Sequence, residues 1–266
     1  TSASQAGQIT VNELNNTGTV NLNLDSTAAN DLTGKTAAEV AQNAANVLAV
    51  TTRNGDGQYN VAVAESSGVT GAITAKTDEN GNIITSSVTE KTNTVMSSLM
   101  NISANNFLVF RSQMNDLDKR MGVWRPLPQA DGIWARAIAG QSEYKQIHNT
   151  YQTLQIGADK RIGNLLVGAT ASYTDGDGTL NNGSSDDKNY TFGLYGSWLG
   201  DDGQFVDVIV KRHRLESEYD LAYTSGERAK GSMDTSGTSL SVEYGWRLGI
   251  ADTDFYIEPQ AEFMYG

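Results

Sequence analysis

Six ionisable side chains share the polar side of alternating runs in the C-terminal half: Asp207, Lys211, Glu243, Arg247, Glu258 and Glu262. Paired carboxylates invite acid–base chemistry, so spacing is the first test. Glu258 and Glu262 fall on one strand face about 13 Å apart by strand rise, too far for a glycosidase pair. Asp175-Gly176-Asp177-Gly178 resembles the start of a calcium loop, but Thr179 stands where a third acid is needed and no closing Glu follows, so it reads as an exposed loop tip. His148 and His213 are the only histidines, and the chain has no cysteine to complete metal-ligand spacing, so both are expected in a loop or on a polar inner face. The glycine-rich stretches lack the contexts that cradle nucleotide phosphates. Lys211, Arg212 and Arg214 form a small basic cluster expected at a strand end, able to pair with the acids.

The elements carrying these residues repeat with a period of two from Asp131 to Gly266. Leu165, Val167, Ala169, Ala171 and Tyr173 alternate with Gly168, Thr170, Ser172 and Thr174. Tyr190, Phe192, Leu194, Gly196 and Trp198 alternate with Asn189, Thr191, Gly193 and Ser197. Val206, Val208 and Val210 oppose Asp207 and Lys211, while Leu240, Val242, Tyr244 and Trp246 oppose Ser241, Glu243 and Gly245. A last run sets Phe255, Ile257, Ala261, Phe263 and Tyr265 against Glu258, Gln260, Glu262 and Met264. Such runs are strands with one apolar and one polar face. Tight connections are expected at Arg161–Asn164, Gly200–Gly203 and Ile250–Thr253, and long polar loops at Gln141–Thr150, Asp175–Lys188 and Asp220–Asp234. Short turns at one end and long loops at the other mark an outer-membrane barrel, and aromatics near strand ends (Trp198, Trp246, Tyr173, Tyr265) suit interfacial girdles.

Upstream, Val95, Leu99, Ile102, Phe107, Phe110, Met114 and Leu117 recur at helical spacing from about Thr92 to Met121, with Ser97, Ser98, Ser103, Asn105, Asn106, Ser112, Gln113 and Asn115 filling the other face. Gly122 and Pro126 predict a stop near Arg120. The helix is long enough to cross a bilayer yet too polar to do so against lipid, so a water-filled barrel suits it. The first 91 residues are rich in Asn, Thr, Ser, Gly and Ala, with β-prone patches at Gln8–Val11, Thr19–Leu22, Gln58–Val63 and Gly71–Lys76, and one short helix expected from Thr36 to Leu48. Asn16-Thr17-Gly18, Asn54–Gly57 and Glu79–Asn82 read as turns. Short polar strands with frequent turns predict a β-rich, solenoid-like segment or a linker.

Composition narrows the class. The chain has 266 residues, 38% hydrophobic, with a net charge of −12, and a mean hydropathy of −0.40. No apolar run reaches the length of a membrane-spanning helix, which leaves a transmembrane barrel open because its strands look polar in any window. The acidic balance, without basic patches of the kind a nucleic-acid binder shows, argues against nucleic-acid binding. The absence of cysteine suits passage through an oxidising periplasm. The start, Thr1-Ser2-Ala3-Ser4, carries no secretion signal, which predicts an internal or processed fragment.

Several ordered motifs resemble one family. Asn115–Gly122 is similar to the helix-end segment that precedes the barrel of monomeric (type Va) bacterial autotransporters, Gly132-Ile133-Trp134-Ala135-Arg136 resembles their first strand, and Leu154–Lys160 their second. Gly193-Leu194-Tyr195 and Ile257–Gly266 resemble later strands. Two departures stand out: Val123-Trp124-Arg125-Pro126 replaces the family's acidic-Leu-Arg run, and Gly266 ends the sequence without the terminal aromatic used in assembly. The resemblance implies a barrel of about a dozen strands holding the passenger's last helix in its pore, with outer-membrane lipid, the barrel-assembly (BAM) machinery and periplasmic chaperones as partners. It also implies a monomeric barrel and no cofactor or metal. In the self-cleaving branch of that family an Asn–Asn pair is cut inside the barrel, the Asn side chain attacking its own carbonyl with help from lumen acids. Carried over, Asn115 would be cut, Asp207, Glu243 and Glu262 would assist, and Asp116 departs from the second Asn.

The expectation is therefore a mainly β protein: a β-rich passenger end at 1–91, a linker helix and barrel entry at 92–130, and about seven strands of a transmembrane antiparallel barrel at 131–266. Its expected function is to export and display an N-terminal passenger, adhesin-like by resemblance, without enzymatic turnover beyond that one cleavage. A porin-like or OmpA-like channel with a periplasmic N-terminal region is the alternative, and a soluble β-rich domain a third. A helix leading directly into the first strand favours the translocator, since it would plug a general channel.

Overall fold

The computed structural model describes residues 8–15, 17–24, 35–65, 71–117, 132–250 and 255–266. It divides into two units, Thr1–Met100 with Asp220–Lys230, and Asn101–Tyr219 with Gly231–Gly266.

The first unit is built from short strands around one helix. Strands β1 (Ile9–Asn15) and β3 (Leu48–Asn54) pair in parallel, as do β2 (Thr19–Leu24) and β4 (Gln58–Val63). Both pairings join residues 39 apart, Ile9 with Leu48 and Thr19 with Gln58, so the chain completes one coil and lies down beside itself. Stacked asparagines follow: Asn54 donates to Asn15 and Asn60 to Asn21. Helix α1 (Ala37–Ala45) closes the coil, its start fixed by Thr36 and Glu39 in a reciprocal capping box. Its face Val40, Ala41, Ala44 and Ala45 packs on Val61, Val63, Ile73 and Ala75. Strands β5 (Gly71–Lys76) and β6 (Thr89–Thr92) complete an antiparallel edge beside β4. The β-prone patches thus form strands, while β3 was hidden in a stretch expected to follow a helix directly.

Helix α2 (Thr94–Met114) starts with the Asn93 side chain accepting from the Met96 amide at 3.2 Å. It ends six residues before the predicted stop, giving way to a turn at 115–117. At its end the Gln113 carbonyl is taken by Lys211 from the sheet instead of by a further helical amide, and in the turn beyond it Arg136 takes the Asp116 carbonyl. Residues 118–131, with the predicted Gly122 and Pro126 stop signals, lie outside the described residues.

The second unit is dominated by one antiparallel sheet: β7 (Gly132–Tyr144), β8 (Ile147–Ile162), β9 (Leu165–Leu180), β10 (Gly183–Leu199), β11 (Gln204–Ala222), β12 (Arg228–Trp246) and, after the small pair β13 (Leu248–Gly249) and β14 (Tyr256–Ile257), β15 (Gln260–Tyr265). From β7 to β12 each strand lies beside its sequence neighbour, β15 follows beside β12 in the order β15-β12-β11-β10-β9-β8-β7, and the sheet is open, with β7 and β15 at its edges.

One expectation needs correction here. The segments read as long loops are the continuation of the strands. Two-residue turns at Lys145-Gln146 and Asn181-Asn182, and a short one at 223–227, close hairpins whose strands reach 19 residues. Alternation persists through them with polar residues on both sides, which hid the pairing from a search for apolar periodicity. Asp175 and Asp177 therefore project from mid-strand, outward, rather than from a loop tip. The tight turns at Gly163-Asn164 and Gly200–Gly203 are as expected, with Gly163 and Gly203 at positive φ. Residues 251–254 of the third predicted turn lie outside the described residues, though the Ile250 amide donates to the Phe255 carbonyl across it.

The outward face carries the band a bilayer requires. Leu154, Ile156, Tyr173, Tyr190, Phe192, Leu194, Val210 and Tyr244 are exposed although large and apolar. From Leu165 to Tyr173 the band measures about 26 Å along the strand, close to the height of a barrel's apolar belt. It stops at the ring pair Tyr173–Tyr190, whose centroids are 5.2 Å apart. Beyond them the same face carries Asp175, Asp177, Asp186 and Lys188.

Candidate functional site

The inner face of the sheet meets helix α2 through polar side chains. Asn106 donates to Ser217 at 2.8 Å and Ser142 to Asn105 at 3.2 Å. Gln113 donates to Thr174 at 3.0 Å and accepts from Asn189 and from Thr191. The buried side of the helix is accordingly mixed: Asn101, Asn105, Asn106 and Gln113 are buried together with Val95, Ile102 and Met114, while Phe107 is 61% exposed. This departs from the usual amphipathic rule: amides share the packed side with apolar residues, because the surface they pack against is polar.

Where the helix ends, the sheet grips the chain. Lys211, only 1% exposed, donates through Nζ to the Gln113 carbonyl at 2.5 Å and pairs with the Asp116 carboxylate. Gln155 Nε2 donates to the same carboxylate at 3.0 Å. Arg136 bridges, donating to the Asp116 carbonyl at 2.5 Å and to Gln155 at 2.7 Å. Leu117 then enters an apolar nest of Leu166, Tyr195 and Ile209, flanked by Trp134 and Leu199. Trp134 Nε1 donates to the Tyr195 hydroxyl at 2.9 Å, which donates to Asp159 at 2.6 Å. Glycines make room for these rings. A Cβ on Gly157 would lie 2.4 Å from the Trp134 ring and one on Gly168 2.4 Å from the Tyr195 ring.

Strand register decides where the predicted acids fall. The Arg247 amide bonds to the Gly203 carbonyl and the Tyr223 amide to the Glu227 carbonyl, so β11 and β12 pair without slippage between those points. Asp207 then lies opposite Glu243, and Glu243 pairs with Glu262 in β15. The three acids thus form one row across adjacent strands. Asp207 accepts from Ser197 on β10, and Glu262 from Ser241 at 2.5 Å. Asp207 and Glu243 are buried, whereas Glu262 sits on the exposed edge strand. The row lies four residues from Lys211, about 13 Å along β11. Asn115 is partly buried, and its side-chain oxygen has no hydrogen-bond partner among the described residues. The structure therefore brings the three acids to each other, and brings Asp116 to Lys211, Arg136 and Gln155.

Sequence reasoning did not single out Gln113, Arg136 or Gln155. Each was visible only as a polar residue at an inward position, Arg136 within Trp134-Ala135-Arg136 and Gln155 between the outward Leu154 and Ile156. Lys211 lies mid-strand and inward, while Arg212 and Arg214 point outward, so the basic cluster is split by the sheet. His213 is buried on the inner face, contacting Thr191 and Ser239 and edge-on to Phe110 at 4.7 Å. His148 lies in β8 beside Glu143 at 3.0 Å. Glu258 is held by Arg247 at 2.5 Å. No cluster of metal-ligating side chains occurs among the described residues.

Comparison with known proteins adds relatives to this geometry. Residues 129–266 match the autotransporter beta-domain family. The chain is 32% identical over 163 residues to the BrkA autotransporter of Bordetella pertussis, covering 58% of this chain and 16% of that protein. It is 32% identical over 167 residues to the serine protease Sat autotransporter of Escherichia coli, covering 60% and 12%, and 30% identical over 161 residues to the pertactin autotransporter of Bordetella parapertussis, covering 57% and 17%. Among solved structures, the beta domain of the Bordetella autotransporter BrkA aligns with a TM-score of 0.45 at 29% identity, over 50% of this chain and 55% of that one. The chain spans less than a fifth of the length of these three full relatives.

Proposed function

The chain belongs to the autotransporter family through its β-domain, the outer-membrane translocator of an exported passenger, and from that premise we propose that it acts as a fixed anchor which keeps the passenger attached to its pore. Residues 132–266 contribute strands to the outer-membrane barrel, α2 occupies the lumen, and residues before α2 belong to a passenger at the cell surface, adhesin-like in role. The barrel-assembly machinery and periplasmic chaperones are the partners that deliver it, and the barrel is monomeric.

The observation that carries this reading is the grip on Asp116. A buried ammonium and a guanidinium hold both the side chain and the backbone of the linker. A buried pair is strongly destabilised when one partner is removed, by about 3–5 kcal/mol, so the grip resists withdrawal of the helix. N-terminal sequencing of the barrel-containing species from outer membranes tests the proposal. An uncut chain carrying passenger sequence is the expected result. A barrel fragment starting at Asp116 would defeat it.

That opposite result corresponds to a second reading, favoured by the buried, unpartnered Asn115 side-chain oxygen between clamped neighbours. In it, Asn115 Nδ2 loses a proton and attacks the Asn115 carbonyl carbon, the bond to the Asp116 nitrogen breaks, and that nitrogen leaves as an amine after taking up a proton. The products are a C-terminal cyclic imide on the passenger and a barrel beginning at Asp116. Asp207, Glu243 and Glu262 would supply the base and acid, and clamping would supply fixed geometry. The 13 Å offset of the acid row from Lys211 makes the anchored form the preferred reading.

A further inference from the structure

At the upper margin of the apolar band, β11 turns two arginines outward, Arg212 and Arg214. The Gly200 amide bonds to the Gln204 carbonyl, and Ser217 donates to Asp187, two contacts that fit one unbroken register between β10 and β11. That register sets Arg212 beside Phe192 and Arg214 beside Tyr190. On the other flank, the β11–β12 register sets them beside Thr238 and Ser236. Val210 and Leu240, the next outward residues below, are exposed and apolar. Arg212 therefore stands where the lipid-facing surface gives way to the polar one.

Its contacts are unusual for an arginine in that place. Arg212 Nη1 donates to the Thr238 hydroxyl at 3.0 Å and Nη2 to the Ser236 hydroxyl at 2.9 Å. Both partners are neutral, and no carboxylate pairs with Arg212 among the described residues. Arg214, by contrast, is 63% exposed and paired with Glu216 at 2.8 Å, with Asp234 at 3.8 Å. The Arg212 fork is thus oriented flat along the strand by two hydroxyls, its charge uncompensated at the boundary of the band. A charge at the edge of hydrocarbon is stabilised by an anion at headgroup depth, and a fixed guanidinium suits phosphate oxygens because it presents two parallel donors. Hydroxyls beside it add donors that a sugar phosphate can use.

We propose that Arg212, with Arg214, Ser236 and Thr238, binds a phosphate of a phosphorylated glycolipid in the outer leaflet, lipid A by its chemistry. The site rests on the outer-membrane placement argued above. It is distinct from the lumen, so a lipid held here steadies the β11–β12 face from outside while the linker is held from inside.

The test uses the full-length chain purified in neutral detergent, with binding of purified lipid A followed by native mass spectrometry. Each basic residue near a headgroup contributes about fivefold to anionic-lipid binding, so Arg212→Gln is expected to weaken lipid A binding about fivefold and the Arg212→Gln, Arg214→Gln pair about 25-fold. Lysine at both positions should keep most of the affinity, and lipid A stripped of its phosphates should bind no better than to the double glutamine variant. Folding of every variant is read separately from heat-dependent migration in electrophoresis. Equal binding of lipid A by the wild type and the double glutamine variant overturns the proposal. So does phosphatidylglycerol binding as tightly as lipid A, which would reduce the patch to a general anionic contact. Absence of a heat-dependent form in the wild type would remove the outer-membrane reading itself, and the site with it.

Discussion

Lys211 illustrates how one residue can hold a function that its neighbours only permit. It is buried, and its ammonium is shared between the Asp116 carboxylate and the Gln113 carbonyl. Replacing it by Met leaves Asp116 with Arg136 and Gln155 alone, and the expected cost is about 3 kcal/mol. The midpoint of heat-dependent migration should fall, and a double-mutant cycle with Asp116→Asn should recover a coupling well above that of a surface pair. Simple additivity would mean that the contact carries no load. Gly168 is a second case. A methyl there would sit 2.4 Å from the Tyr195 ring, and that ring is tied at its hydroxyl by Trp134 and Asp159. Because the ring has no free direction to move, Gly168→Ala should destabilise by about 1–3 kcal/mol, whereas Gly163→Asn, in an open turn at positive φ, should cost far less. Denaturant titration of the folded barrel checks the pair, and equal effects at both sites would contradict the packing argument.

At the scale of elements, the start of α2 depends on a carboxylate from elsewhere in its own unit. Glu65 is 1% exposed and accepts from the Thr94 amide at 2.8 Å and from the Thr224 amide at 2.8 Å. Burial pushes its pKa upward, but the bonds from Thr94 and Thr224 outweigh burial and hold it below the usual value. Its folded pKa is thus below the unfolded value, so its stabilisation is complete above about pH 4.3 and is lost as pH falls through the folded pKa. Hydrogen exchange at Thr94 and Thr224 should accelerate over that acidic window. Glu65→Gln should exchange faster already at neutral pH, by an amount corresponding to about 1–3 kcal/mol, and should show little further acid dependence. A Gln variant with wild-type protection would remove Glu65 from the helix start.

For the whole molecule, the decisive contrast is between the two faces of the long sheet. Leu194 projects into the apolar band at 57% exposure, while Asp177 projects from the same face above it. Leu194→Arg should therefore cost about 2–4 kcal/mol in a bilayer, as a charge near its midplane does, and Asp177→Arg close to nothing. Refolding into lipid vesicles with urea titration separates them. Equal tolerance would mean that the face meets water, which no translocator barrel could allow. The asymmetry follows from solvent: lipid supplies no hydrogen bonds, whereas the inner face of the sheet supplies the polar and charged side chains that meet α2.

The sequence alone determined the alternation, because a strand's two faces are written in every second residue, and a barrel in lipid must be apolar outward at each of them. It also determined the short strands Gln58–Val63 and Gly71–Lys76 to the residue, since local β-propensity and flanking turns suffice there. Membership of the family was legible in ordered motifs from Asn115 onward. What only the tertiary structure decided was register and height. Asp207, Glu243 and Glu262 are far apart in sequence, and their alignment in one row depends on the hairpin pairing of β11 with β12 and of β12 with β15. Extension of the strands beyond the band was hidden because both faces are polar there, leaving hydrogen-bonded pairing as the only signal. The early end of α2 was hidden as well, because the Gln113 carbonyl and that of Asp116 in the following turn are met by Lys211 and Arg136 from strands remote in sequence. Periodicity reports which way a side chain points; only the folded chain fixes what it meets there.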